Sequence, residues 1–288
     1  MKIAICLHGL ASGVNDVGIP VSFKEGIESI KKNIVGDHDV DIFFHTWSKD
    51  SEKELVKDYK PCRYKVEEQI IFEHPFGVES TQYSFTPETT VKLQSMYSRW
   101  YSLAECMKLK REQEKETGEE YDFVLSARFD MVFYEPFIDF NKLDQSCFYI
   151  SNWWHNKFNF GYNDPWFVSG SNQMDRVGEL YEHLNTYLEE NSDYEKYVMS
   201  LPETAPRERP EIDNKVSNHG LLRWHVKGAM SMETNFIGLE YQTWSLSRRI
   251  SLGRNNPHFP NGLPYPLNEP AAEERACVMH DGPRGVGW

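Results

Sequence analysis

Strand, helix and strand follow one another within the first fifty residues, and this order constrains the fold more than any other feature of the chain. Lys2-Ile3-Ala4-Ile5-Cys6-Leu7 is a short apolar run stopped by His8-Gly9, with Ser12 and Gly13 just beyond. A run of that length closed by glycine reads as a buried strand entering a loop. Phe23, Ile27, Ile30 and Ile34 then recur at helical spacing, the signature of an amphipathic helix. Val40–Phe44 is the next strand and ends in His45-Thr46-Trp47. A strand pair joined by a helix must run parallel, because only a crossover can return the chain to the same edge.

The alternation continues. Thr86 is a suitable N-cap and Pro87 a suitable first residue for a long helix, whose buried stripe is Leu93, Met96, Trp100, Leu103 and Met107. The charged stretch Lys108–Glu116 reads as its solvated end, and Gly118 as its stop. Tyr121–Asp130 (YDFVLSARFD) carries the next strand, and Phe148–Ile150 another. Met174, Val177, Leu180, Tyr181, Leu184 and Leu188 define one amphipathic helix, and Ile212–Val226 is read as a further helix. Leu201–Pro210 is a proline-rich surface connection, and the tail from Gly253 holds six of the 15 prolines. Such a tail orders itself only by lying across the main body. These elements predict a single α/β domain over residues 1–288, built on a doubly wound, mainly parallel sheet. Residues 1–150 form the half carrying the ligand crevice, and residues 151–288 an irregular lobe with a wrapping tail.

Charge and composition narrow the function. With 31 basic against 44 acidic residues, the net charge of −13 argues against a nucleic-acid binder working through a broad basic surface,. Five scattered cysteines at no metal-knuckle spacing point to free thiols in a reducing compartment,. No apolar segment has the length of a membrane span, so the expected setting is the cytoplasm.

Chemistry-bearing residues gather at strand ends. In Tyr121–Asp130, Arg128 and Asp130 are two apart, so they share a face and leave the strand's carboxyl end together,. Open α/β sheets bind ligands there. A carboxylate to hold a divalent cation beside a guanidinium fork for phosphate oxygens suits a diphosphate; an ion pair capping the strand is the plainer reading. The loop His8–Gly13 lacks GxGxxG, which excludes a dinucleotide fingerprint while leaving room for a base and ribose. Asp164, before Pro165, offers a carboxylate that can accept a proton from an alcohol, or else an Asx turn. Asp213 and His219 are rival bases on a later helix. Trp153, Trp154 and Trp166 lie in an aromatic-rich span and suit the apolar faces of sugar rings, or a packed core. On the tail, His280 offers a further metal ligand beside Asp130, and Arg284 a cation facing phosphate; a surface turn is the alternative.

In this order, Ile3–Gly9, Asp39–Trp47 (DVDIFFHTW), Gln94-Ser95-Met96-Tyr97-Ser98 and Tyr121–Asp130 resemble glycosyltransferases of the GT-A fold, especially a divergent group from large DNA viruses of algae and from bacterial surface-glycan loci. The resemblance covers most of residues 1–190, with Asp164 at a later position where an Asp begins an aromatic-rich stretch. It implies a UDP- or GDP-sugar donor, for which His8, Gly9, Thr46, Ser98, Arg128, Asp130 and Arg284 are the candidate contacts, and a glycan or glycoprotein acceptor, for which Trp153, Trp154 and Trp166 are the candidate seat. It also implies a divalent metal, Mn²⁺ or Mg²⁺, at Asp130, beside which His280 is the candidate further ligand; Asp164, Asp213 and His219 are the candidate acceptor-side bases. If the chain is viral, its setting is the host cytoplasm. The family's Asp-x-Asp motif corresponds here to Arg128-Phe129-Asp130, in which the first carboxylate is replaced by a guanidinium. A non-catalytic carbohydrate-binding protein and another nucleotide-dependent α/β enzyme are the alternatives.

Overall fold

A computed structural model describes residues 1–15, 18–73, 87–152, 161–200, 217–239, 243–247 and 279–280. Its strands are β1 (Lys2–Gly9), β2 (Gly13–Val14), β3 (Pro20–Val21), β4 (Asp39–Thr46), β5 (Arg63–Val66), β6 (Phe123–Arg128), β7 (Met131–Phe133), β8 (Phe148–Asn152), β9 (Trp166–Gly170), β10 (Thr234–Leu239), β11 (Trp244–Leu246) and β12 (Met279–His280). Helices are α1 (Lys24–Ile30), α2 (Glu52–Tyr59), α3 (Pro87–Thr117), α4 (Ser171–Gly178), α5 (Leu180–Leu188), α6 (Asp193–Ser200) and α7 (Asn218–Arg223).

Eight strands make one sheet in the order β12-β10-β8-β9-β6-β1-β4-β5. The pairs β1–β4, β1–β6, β4–β5 and β8–β10 are parallel, whereas β9 runs antiparallel to both β6 and β8. The sheet is therefore mostly parallel, as expected from the opening βαβ unit. Both faces are buried, and alternation along each strand divides the core in two. Ala4, Cys6, Phe43 and Val124 face one cluster with the α3 stripe Leu93, Met96, Trp100, Leu103 and Met107. Ile3, Ile5, Leu7, Phe44 and Leu125 face the other, with Ile27 and Ile30 of α1 and Leu55 and Tyr59 of α2.

Three local readings differ. The single helix expected over Met174–Leu188 is two, α4 and α5; a Cβ at Gly178 would lie 2.8 Å from Met107 Cγ, so the bend falls where α4 presses on α3. Of the helix expected over Ile212–Val226, residues 212–216 lie outside the described residues; α7 starts at Asn218 and passes into a wider turn over Trp224–Ala229. Lys108–Glu116 is not wholly solvated. Lys110 is completely buried, its ammonium 2.8 Å from Glu114 and 3.0 Å from Asp175.

The turn after β6 is held from below by α1. A Cβ on Gly26 would fall 2.2 Å from the Phe129 carbonyl, so only glycine lets the helix approach that backbone,. Ser29 Oγ accepts from Phe133 N at 3.1 Å, and Asn33 Nδ2 donates to Phe133 O at 2.6 Å. Asp130 O accepts from Ser247 N at 2.8 Å.

Candidate functional site

From β1 the chain proceeds to β4 and β5 on one side, then returns to place β6 on the other side of β1. Between β1 and β6 the winding reverses, and a crevice opens at the strands' carboxyl ends at such a switch point. Strand register sets His45, His8 and Arg128 side by side across three neighbouring strands. A cavity of about 620 Å³ lies here, walled by His8, Gly9, Trp47 and Arg128 from the sheet, Ser98 and Arg99 from α3, and Asp164 from the segment before β9. The antiparallel entry of β9 brings that segment in: Arg128 N donates to Pro165 O at 3.0 Å.

Arg128 and Asp130 share a face as their spacing requires, but they are turned toward each other. Arg128 Nε donates to Asp130 Oδ1 at 2.8 Å and Nη2 to Oδ2 at 3.0 Å. The Arg128 side chain is 28% exposed and the Asp130 side chain 0%. Among the described residues the guanidinium, not the carboxylate, lines the cavity.

Opposite stands Arg99, which sequence reasoning missed. Its Nη1 lies 2.6 Å from His8 Nδ1 and 2.9 Å from Nε2, its Nε is 3.3 Å from Asp164 Oδ2, and its Nη2 donates to the Asp164 carbonyl. A guanidinium only donates, so His8 accepts and is neutral, with Ser126 Oγ 2.9 Å from its Nε2. Burial, reinforced by Arg99 and Arg128, pushes the His8 imidazole well below its usual value. Burial also pulls Arg99 down to about 10, opposed by the attraction of Asp164, and so leaves it charged at neutral pH. A signal for Arg99 existed: it stands three residues after Met96 and four before Leu103, on the inward side of the helix, where an unpaired charge is costly.

Asp164 joins two candidates. Its Oδ1 lies 3.2 Å from His219 Nδ1, which is also 2.8 Å from the Tyr162 carbonyl. Both neighbours of Nδ1 accept, so the proton of a neutral His219 sits on Nδ1 and the lone pair on Nε2. Burial would raise the Asp164 carboxyl, but His219, Arg99 and Arg128 outweigh it and hold it below the ordinary range. A Cβ on Gly161 would fall 2.4 Å from His219 Cβ, so glycine there allows the close approach.

The first-strand loop is fixed from α3 and β4. Gly9 N donates to Ser102 Oγ at 2.8 Å, and that hydroxyl is 2.6 Å from His45 Nδ1. His45 Nε2 reaches Glu67 at 2.9 Å; burial lowers the imidazole's pKa despite that carboxylate. Ser98 Oγ accepts from Gln69 at 2.7 Å and Gln94 at 3.2 Å. Trp47 stacks on Tyr101, centroids 5.6 Å apart at 22°. Thr46 is fully buried, with its hydroxyl 3.2 Å from Ser48 N, and does not line the cavity.

The other expected residues separate. Trp166 is fully buried in the opposite core, its ring 5.3 Å from Phe137 and 6.3 Å from Trp244; it is packing rather than an acceptor wall, because it points to the face away from Asp164. Residue 280 pairs with Asn235 in edge strand β12, four strand spacings or roughly 19 Å from β6. Trp153, Trp154, Asp213 and Arg284 lie outside the described residues. The carboxylates at hand do not fit a divalent cation, since Asp130 gives both oxygens to Arg128 and Asp164 is divided between Arg99 and His219. Among the described residues no three His, Cys, Asp or Glu side chains converge as a metal site, and no helix is long and apolar enough to cross a membrane. No family model and no curated protein matches this chain.

Proposed function

We propose that the chain is a GT-A-type glycosyltransferase that moves a monosaccharide from a UDP- or GDP-sugar to a hydroxyl of a glycan acceptor. One observation carries this reading: the switch-point cavity gathers His8, Gly9, Arg128, Ser98, Arg99 and Asp164 from four separate segments. The sheet supplies a floor at the strand ends, the two guanidiniums suit a diphosphate, and Trp47 offers an aromatic wall. In the reaction the bond from the sugar anomeric carbon to the diphosphate oxygen breaks, and the electron pair stays on that oxygen beside the guanidiniums. The acceptor oxygen bonds to the anomeric carbon, and its proton passes to the Asp164–His219 pair. Asp164, held below the ordinary carboxylate range, is the orienting anion, and His219 Nε2 carries the lone pair that takes the proton.

A panel of UDP- and GDP-sugars tests this, scored by binding and donor hydrolysis with and without MnCl₂. S-adenosylmethionine and NAD serve as counter-ligands. Retention of either counter-ligand while every nucleotide sugar passes through would refute the reading. His219→Gln should lose transfer while donor affinity holds, whereas Asp164→Asn should lose transfer and also weaken donor binding, because Asp164 anchors Arg99; equal loss of donor affinity in His219→Gln would move the pair to the nucleotide side.

A further inference from the structure

We propose that Arg99 and Arg128 take the place of a divalent cation, so that this protein binds its nucleoside diphosphate without metal. The inference rests on the glycosyltransferase reading and specifies how its donor is held.

Two cations face one cavity from different elements, Arg128 at the end of β6 and Arg99 on α3. Each is anchored by a carboxylate, Asp130 fully buried behind Arg128 and Asp164, 14% exposed, on the cavity wall beside Arg99. Asp130, 0% exposed, grips Arg128 through two bonds of 2.8 and 3.0 Å. Asp164 and His8 fix Arg99 at 3.3 and 2.6 Å. The anchoring matters because ordering an arginine's rotamers is one cost of seating a phosphate, and here folding has already met it. A planar fork held in one orientation matches two phosphate oxygens in a way a flexible ammonium does not. Among the described residues no lysine lines the cavity.

The same geometry removes the carboxylates from cation duty. A divalent metal needs several unshared oxygens at about 2.0–2.6 Å, whereas Asp130 and Asp164 each spend both oxygens on cationic or imidazole partners. Placing a metal at Asp130 would require breaking the Arg128 fork and setting like charges side by side. Two guanidiniums carry the charge of one divalent ion. Their field is already felt at the site: together with the other groups named above, both arginines hold the His8 imidazole and the Asp164 carboxyl below their usual values.

Isothermal titration of the full chain with UDP and with GDP, each in EDTA and in MnCl₂, is the test. The expected result is binding of at least one nucleotide with dissociation constants that agree within about twofold between the buffers. Arg99→Gln and Arg128→Gln should each weaken that binding about tenfold or more in both buffers, the scale of losing a charge-assisted contact. Arg128→Gln decides the matter if Arg99→Gln fails to fold by circular dichroism. Its amide can still bond Asp130, and its parent side chain is partly exposed. Nucleotide binding that appears only with Mn²⁺, or that survives both substitutions unchanged, overturns the inference while leaving the glycosyltransferase reading intact. Failure of both nucleotides to bind in either buffer overturns the two together.

Discussion

Lys110→Met isolates the energetic role of a buried charge. The Lys110 ammonium is fully buried on α3, bonded to Glu114 at 2.8 Å, to Asp175 at 3.0 Å and to the Ser171 hydroxyl. Glu114 also accepts from Ser171 Oγ at 2.6 Å and Tyr121 N at 3.0 Å. The cluster therefore ties α3 to α4 and to the entry of β6. Methionine preserves most of the stem's packing, so the change removes mainly the charge and leaves two carboxylates, 12% and 19% exposed, without their buried cation, Asp175 keeping only the partly exposed Arg111 at 3.5 Å. Breaking a buried pair from one side costs about 3–5 kcal/mol. At about 2–4 °C per kcal/mol for chains of this order of size, the melting midpoint should drop by about 6–20 °C. Urea titration followed by circular dichroism gives the free energy directly, with the slope unchanged if only the native state is affected. The triple variant Lys110→Met, Glu114→Gln, Asp175→Asn removes the three central charges, leaving the partly exposed Arg111, and should regain much of the loss, since neutral amides cost far less to bury than carboxylates missing their cation. A loss below about 1 kcal/mol in the single variant would mean that the cluster behaves as an exposed pair, and the reasoning would fail.

His225 is buried and neutral, with its pKa lowered to about 4 mainly by burial, its Nδ1 2.8 Å from the Tyr187 hydroxyl and its Nε2 2.9 Å from the Arg176 carbonyl. The unfolded chain takes up that proton first, near pH 6.5, so stability should fall as pH drops from about 6.5 to about 4, by up to about 3 kcal/mol; His225→Gln should flatten this slope in urea titrations across the range, and an unchanged slope would assign the acid sensitivity elsewhere. Gly26→Ala puts a Cβ 2.2 Å from the Phe129 carbonyl and should cost about 1–3 kcal/mol, with weaker nucleotide binding because the turn bearing Arg128 must shift; full stability in thermal melts would contradict the packing. Ser102→Ala strips a partner from the Gly9 amide and from His45 and should destabilise by about 1–3 kcal/mol per group left unpaired, read as a lowered melting midpoint together with reduced UDP or GDP affinity.

Local elements were legible because their causes are local. The stripe from Leu93 to Met107 and the strand from Phe123 lie in α3 and β6, since periodicity and apolar content follow from one face meeting a core. The shared face of Arg128 and Asp130 likewise followed from the two-residue repeat. That they bond each other, and so close the carboxylate to other partners, depends on side-chain torsions and burial that spacing does not contain. Trp166 and Trp47 illustrate the same limit. Both are tryptophans at strand ends, yet one fills the far core and the other lines the cavity, according to which face each strand turns toward the crevice.

The sequence by itself determined the βαβ opening, the mostly parallel sheet, the long helix and the strand ending at Arg128, because each is written in short-range patterns of apolar residues, glycine and proline. Only the tertiary structure decided the composition of the site. Arg99 meets His8 across a separation of 91 residues and Asp164 across 65, and Asp164 meets His219 through the entry of an antiparallel strand. Lys110 became a core residue because α4 covers it. Pairings over such distances are fixed by how layers pack and where the winding of the sheet reverses, and that geometry exists only once the whole chain has closed around its two cores.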